Sequence, residues 1–246
     1  MPRLYVSMLP SLMDDVPMKD CTAVIIDILR ASTTIVHALA NGAEKVIPCR
    51  ELAQALEVAE RFDPQSRLLG GERKGELIPG FDLDNSPLAY GPERVQGRTV
   101  IFTTTNGTKA LDCSRNAATI LIGAFVNETA LIERLKKTQS DVALVCAGTD
   151  GMLTAEDLLF AGSVLNRFSE LATEDWMLGN VQAQVVSDYF QARGRDPVSF
   201  RETFLESLGA LNLTRLGMSA DIERAMERDI FDIVPIWSDA QQALIV

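Results

Sequence analysis

Acids, bases and glycines crowd together in the run GGERKGELIPGFDLDNSP, from Gly70 to Pro87. Glu72 has the chemistry of a metal ligand or a general base, and Arg73 and Lys74 beside it have that of anion contacts. Asp82 and Asp84 alternate around Leu83, so their carboxylates can share a face. Glycines at 70, 71, 75 and 80 point to close backbone approach or to torsions that other residues avoid. The plainer alternative is a solvated, charged loop. Three adjacent charges between glycines serve a connector poorly, however, and suit a site that holds a metal and a phosphate together.

Three further stretches carry similar chemistry. In VIIDILRASTTIVHAL an apolar run ends at Asp27. A carboxylate there can bind Mg²⁺ through one oxygen and leave the other positions to water and phosphate; the alternative is a turn or cap aspartate. Arg30 follows, and a guanidinium suits phosphate or sulfonate oxygens. Ser32, Thr33 and Thr34 offer hydroxyls and N–H groups to an anion, or one of them caps a helix. In VIFTTTNGTKAL, Thr103, Thr104, Thr105, Asn106, Gly107 and Thr108 set small polar residues at a strand end. They read as an anion-binding loop or as an ordinary Asn-Gly turn, but not as a GxxxxGK[ST] phosphate loop, because spacing and order differ. In VALVCAGTDGMLTAEDLL, a capping box at Thr154–Asp157 accounts for Asp157 but leaves Glu156 unexplained. Either acid, in the first helical turn, can ligate a metal.

Absences narrow the field. The chain has one histidine, His37, inside a helical pattern, so a two- or three-histidine zinc site cannot be built. No Arg-His-Gly stretch offers a histidine nucleophile, and no cysteine has an arginine six positions later. Asp27-Ile28-Leu29 lacks the second acid of a DxD phosphatase, and no GxGxxG marks a dinucleotide site.

Short β-branched apolar runs predict strands at Leu4–Met8, Ala23–Ile28, Lys45–Pro48, Arg67–Leu69, Thr99–Thr104, Thr119–Ile122 and Val142–Ala147. Helical periodicity predicts helices at Thr33–Ala40, Glu51–Phe62, Thr108–Asn116, Glu128–Lys137 and Ala155–Leu171. The alternation implies a three-layer α/β fold, with a mostly parallel or mixed sheet covered by helices. Beyond about residue 180 come amphipathic helices at Val181–Ala192, Pro197–Leu208 and Ser219–Arg228, then one last strand at Ile230–Val234. Glu174-Asp175-Trp176 reads as a loop rather than a boundary. The expectation is a single α/β domain over 1–246, with a helical segment from about 178 packed on it. The three strand-to-helix junctions around Asp27, Thr103–Thr108 and Gly148–Asp157 all lie beyond strand carboxyl ends, where ligands of open parallel sheets bind.

The 246 residues carry 34 acids against 23 bases, a net charge of −11, and no basic run. That field disfavours nucleic acid, and a small anion needs a locally positive pocket. No apolar run approaches the about 18 residues of a membrane span, and the N-terminus does not read as a signal peptide. Cysteines 21, 49, 113 and 146 form no CxxC pair and read as buried free thiols of a cytoplasmic protein.

The blocks VIIDILRASTTIVHALANGA, GGERKGELIPGFDLDNSPLAY, TTTNGTKAL, CAGTDGMLTAEDLLFAG and LGMSADIERAMERDIFDIVPIW together resemble the 2-phosphosulfolactate phosphatase family of coenzyme M biosynthesis. The resemblance runs from about residue 20 onward. It implies an α/β fold distinct from the common phosphatase superfamilies. It also implies magnesium-dependent cleavage of a phosphomonoester from a small α-hydroxy acid bearing a sulfonate. On that basis Asp27, Glu72 and one of Glu156 or Asp157 hold or orient Mg²⁺, directly or through water. Arg30, Arg73 and the 103–108 loop neutralise phosphoryl charge, Asn85 and Ser86 join Ser32 and Thr33 as substrate contacts, and a second cation, Lys74 or Lys109, meets the sulfonate or carboxylate. Asp27 is the one nucleophile worth testing. Two rivals stand beside this reading: a phosphatase for another phosphorylated hydroxy acid, and a non-catalytic anion-binding protein. The C-terminal helices either cover the sheet or bind a second subunit in a homo-oligomer.

Overall fold

The computed structural model describes residues 2–171 and 176–246, so Glu174 and Asp175 of the expected loop lie outside the described residues. The chain opens with β1 (Arg3–Ser7), β2 (Thr22–Ile26), α1 (Ala31–Ala40), β3 (Lys45–Cys49) and α2 (Leu52–Ala59). Then come β4 (Arg67–Arg73), β5 (Glu76–Leu77), α3 (Pro92–Val95), β6 (Thr99–Thr103), α4 (Gly107–Cys113), β7 (Thr119–Gly123) and α5 (Glu128–Leu135). After β8 (Val142–Cys146), α6 (Ala155–Leu171) and β9 (Met177–Leu178) follow α7 (Val181–Arg193), α8 (Pro197–Leu205), α9 (Leu208–Arg215) and α10 (Ser219–Met226). The chain ends in a hairpin of β10 (Ile236–Ser238) and β11 (Ala243–Ile245).

Among the described residues the strands form one sheet in the order β5-β4-β6-β3-β11-β10-β7-β2-β8-β1-β9. It consists of two parallel blocks. In one, β4 pairs with β6 and β6 with β3; in the other, β7, β2, β8, β1 and β9 pair in turn. The β10–β11 hairpin joins them through antiparallel contacts, Leu244 opposite Val46 and Ile236 opposite Leu121. Three successive reversals make the two blocks run in opposite senses. The carboxyl ends of the two blocks nonetheless meet, since Asp27 beyond β2 and Glu72 near the end of β4 line one cavity.

The apolar pattern explains the layers. β2 (TAVII), β6 (TVIFT) and β8 (VALVC) are buried along their whole length, as strands covered on both faces must be. Helix α1 is buried from Ala31 to Leu39 because sheet lies on one side and the 87–89 turn and the turn at 125–127 on another. Gly162 of α6 lets α7 approach closely: a Cβ there would lie 2.9 Å from the Val186 carbonyl oxygen. Glu128, fully buried, accepts hydrogen bonds from Ser163 (2.5 Å) and Arg228, fixing the segment after α10 to α5 and α6.

Four expectations need correction. Ile230–Val234 is not a strand; it crosses in extended coil, and the pairing falls to the shorter β10 and β11. The helix expected over Pro197–Leu208 ends at Leu205, and a separate, unpredicted helix, α9, starts at Leu208, where the Ser207 hydroxyl accepts from the Ala210 N–H (3.2 Å). Glu72 and Arg73 end a strand rather than lying in a loop. Cys113 is exposed, whereas the other three free cysteines are buried.

Candidate active site

The carboxyl ends of β2, β4, β6 and β8 converge on a cavity of about 390 Å³. Asp27 stands just beyond β2, with 7% of its surface exposed. Its Oδ1 accepts from the Ala31 N–H (3.2 Å), and its own N–H donates to the Ser32 hydroxyl (2.9 Å), which in turn donates to the Ile25 carbonyl (3.2 Å). This local ring fixes the carboxylate and uses up Ser32. Thr33 is likewise occupied, donating to the Ile28 carbonyl (2.8 Å). Gly107 brings the second junction against the first: a Cβ there would lie 2.9 Å from Asp27 Oδ2.

Alternation along β4 separates Glu72 from Arg73. Glu72 faces the cavity; its Oε1 accepts from the Thr105 N–H and hydroxyl (both 3.0 Å), and its Oε2 from the Gly75 N–H (2.7 Å). Arg73 points away. Its guanidinium donates to the Glu72 carbonyl (2.8 Å), the Arg50 carbonyl (3.0 Å) and the Thr103 hydroxyl (2.9 Å), bracing β4 against β6. The preceding glycine, Gly71, has φ 130°, and a Cβ there would overlap the Thr103 carbonyl oxygen. The glycines of this segment thus permit tight strand contact, while Asp82 ties its loop to β4 by accepting from the Leu69 N–H (2.8 Å) and Asp84 serves its own loop by accepting from the Ser86 N–H (2.9 Å).

Arg30 lines the cavity but is held by the protein. It pairs with buried Asp221 of α10 at 2.7 Å and donates to the Gly75 carbonyl (2.9 Å). Asp221 also accepts from the Ser86 hydroxyl (2.6 Å), which occupies that side chain as well. Sequence reasoning passed over Asp221; its place in ADIER, on a helix face, carries no signal of a distant partner.

Glu156 and Asp157 lie behind the cavity. Asp157 accepts from the Ile28 (2.9 Å) and Gly148 (3.0 Å) N–H groups, so it ties the β2 and β8 loops together instead of closing a capping box. Glu156 Oε1 lies against Gly209, and its Oε2 is buried without a hydrogen-bond partner. Burial, then the charge of Asp157, pushes the Asp27 carboxyl up to about 8. Burial dominates for the other two as well, raising both to about 7, with Glu156 adding to the shift of Asp157 and Asp27 to that of Glu156.

Thr104, Thr105, Asn106, Lys74 and Asn85 also line the cavity, and Asn85 Oδ1 is buried without a partner. Thr108 donates to the Thr104 carbonyl (3.0 Å), and Lys109 is exposed outside the cavity. Thr149 and Asp150, from the junction after β8 expected to face the ligand, line the cavity too; unforeseen from sequence are Gly209, Asn212, Leu213 and Arg215 of α9, which form a wall. Among the described residues no three histidines, cysteines or acids make a ready metal cage. Two carboxylates still fit Mg²⁺: Asp27 and Glu72 share one cavity, and this ion keeps several waters and substrate oxygens as ligands, while Glu156 lies behind them.

Comparison with known proteins agrees with this geometry. The family model described as 2-phosphosulpholactate phosphatase matches residues 8–240. A protein of Caldanaerobacter subterraneus named "Probable 2-phosphosulfolactate phosphatase" is 37% identical over 222 residues, 90% of each chain. One of the same name from Symbiobacterium thermophilum is 39% identical over 225 residues, 91% of this chain and 94% of its own. A match running almost end to end, over every block that builds the cavity, places the chain in a family: it belongs to the 2-phosphosulpholactate phosphatases.

Proposed function

We propose that the chain is a Mg²⁺-dependent phosphoric monoester hydrolase that converts 2-phospho-3-sulfolactate and water to 3-sulfolactate and phosphate. The observation that supports this best is the pairing, in one cavity, of buried Asp27 and Glu72 with the small polar turn Thr104–Asn106. The relatives' shared name supplies the substrate.

Asp27, Glu72 and Glu156 would hold the ion, directly or through water. When bound, Mg²⁺ supplies charge neutralisation and polarisation of the phosphoryl oxygens. The chain's own groups do the positioning, which carries much of the rate in phosphoryl transfer. Hydroxyls of Thr104 and Thr105 and the amide of Asn106 can bind phosphoryl oxygens; Glu72 fixes that turn by its bonds to Thr105. Arg30, immobilised by Asp221, presents a fixed positive charge to the developing anion. In the net reaction water oxygen bonds to phosphorus as the water gives up a proton, the ester P–O bond breaks, and a proton ends on the departing alkoxide oxygen. A reducing cytoplasm suits the free cysteines.

The test is phosphate release from 2-phosphosulfolactate with Mg²⁺ and with EDTA. Activity is expected to vanish in EDTA and return with Mg²⁺; full activity in EDTA overturns the metal role. Asp27→Asn is expected to lower kcat by about a hundredfold or more, and near-wild-type turnover removes Asp27 from the mechanism.

A further inference from the structure

Hydroxyls crowd this end of the sheet, and most of them are spent on carbonyls. Ser32, Thr33, Thr34 and Thr108 each donate to a backbone carbonyl oxygen, at 3.2, 2.8, 2.8 and 3.0 Å. A carbonyl does not carry a proton away, so these four serve the fold. Ser86 does donate to a carboxylate, but Asp221 is already paired with Arg30, and neither Ser86 nor Asp221 lines the cavity. Thr105 alone, among the described residues, both lines the cavity and gives its hydroxyl to a carboxylate. Its Oγ1 donates to Glu72 Oε1 at 3.0 Å.

The pair is held from both ends. The Thr105 N–H donates to the same Oε1 (3.0 Å), so the main chain already anchors the turn and the hydroxyl is not needed for that purpose. Glu72 is 8% exposed, and its Oε2 accepts from the Gly75 N–H (2.7 Å). A hydroxyl on a carboxylate that a third group aims is the arrangement that activates an oxygen nucleophile. With its hydrogen turned to Glu72, Oγ1 has its lone pairs free for the cavity. Oε2 keeps a lone pair of its own, so Glu72 can serve Thr105 and the ion together. Asp27, the nucleophile expected from sequence, is placed differently. Its Oδ1 takes the Ala31 N–H and its Oδ2 lies against Gly107, which suits a fixed ligand rather than a group that must advance on phosphorus.

Resting on the phosphomonoesterase reading of this cavity, we propose that Thr105 is the nucleophile of a two-step reaction, with Glu72 as its base and phosphothreonine as the intermediate. In the first step Thr105 Oγ1 bonds to phosphorus and the ester P–O bond breaks. The hydroxyl proton passes to Glu72 Oε1, and the departing alkoxide takes a proton from solvent. In the second step a water oxygen bonds to phosphorus and the P–Oγ1 bond breaks. Glu72 returns its proton to Thr105 Oγ1, and the water's proton goes to solvent. The net reaction is unchanged, but the alcohol leaves before water attacks, so one difficult displacement becomes two easier ones.

The experiment runs the Mg²⁺-loaded wild type, Thr105→Ser and Thr105→Val in dilute methanol, on 2-phosphosulfolactate and on p-nitrophenyl phosphate, and measures methyl phosphate and inorganic phosphate. Methanol and water then compete for one phosphothreonine, so the product ratio is expected to be the same from both substrates. Ratios that differ, or no methyl phosphate, overturn the intermediate, and these wild-type arms stand whether or not a variant folds. Acid-quenched chains are also fragmented by mass spectrometry, because phosphothreonine survives acid. The phosphoryl group is expected at position 105 in the wild type and in Thr105→Ser, and nowhere in Thr105→Val; a phosphoryl group on any other residue, Asp27 included, overturns the assignment. Thr105→Val is expected to lower kcat about a thousandfold or more with KM within about threefold, and Thr105→Ser to keep about a tenth of kcat or more. Thr105→Val within about tenfold of wild-type kcat leaves Thr105 a binding contact and overturns the nucleophile. Phosphate release without a common intermediate sinks this inference alone. A phosphorylated Thr105 in a wild type that releases no phosphate sinks the hydrolase reading alone, and a wild type that shows neither sinks both.

Discussion

Asp27, Glu156 and Asp157 are buried together and each is pushed towards its neutral form. Their folded pKa values of about 7–8 lie above the ordinary carboxyl range, so the folded chain binds more protons than the unfolded chain between about pH 4 and 8. Their contribution to stability is therefore present at low pH and is lost as pH rises through 7–8. His37 acts in the opposite sense. Burial lowers its pKa to about 4, so its contribution is present above about 6.5 and is lost as pH falls. Three raised carboxyls outweigh one lowered histidine, so by calorimetry the metal-free protein should lose Tm from pH 5.5 to pH 8, and Mg²⁺ should raise Tm more at pH 8 than at pH 5.5. Asp27→Asn should stabilise the metal-free protein at pH 8 by about 1–3 kcal/mol while abolishing turnover. No gain at pH 8 over pH 5.5 refutes this electrostatic account. Asp221→Asn should have the reverse effect, leaving Arg30 buried without its counterion at a cost of about 3–5 kcal/mol. A denaturation midpoint equal to wild type would show that the pair does not stabilise the fold.

Elements with a clear period were legible. Seven of the eight predicted strands, and the predicted helices other than Pro197–Leu208, fall where apolar runs and 3.6-residue spacing placed them, to within a few residues; the four-residue α3 was not predicted. Strands β5 and β9, two residues each, and β10 and β11, three each, were not, because a period cannot show itself in so short a run. Three of the four catalytic candidates reach the cavity; Arg73 does not, since reading Glu72–Lys74 as loop hid the alternation that turns it to the far face. The α9 wall was invisible because Asn212 and Arg215 belong to no motif, and the Ser207 cap was read as helix interior. Gly71 shows how tightly β4 and β6 are joined. Gly71→Ala should cost about 2–4 kcal/mol by urea denaturation, since both its positive φ and the Thr103 carbonyl oppose a side chain. An unchanged urea midpoint would refute that packing.

At the scale of the whole molecule, the sheet is continuous only through β10 and β11. Leu244 and Ala243 are fully buried there and Trp237 nearly so. Burying one such large side chain is worth about 1.5–3 kcal/mol, so the hairpin carries a sizeable part of a stability of about 5–15 kcal/mol. Deleting residues 236–246 should abolish cooperative thermal unfolding; a truncated chain that melts in one sharp transition would show that the two parallel blocks hold together without it. The hairpin also bears on biosynthesis. The inner strands β3 and β7 both wait for partners encoded near the far end of the chain. Throughout translation of the intervening residues, each growing block has a bare strand edge, open to pairing with a neighbouring nascent chain. Synthesis of β10 and β11, rather than the making of either block, therefore sets the moment at which these edges become safe from aggregation.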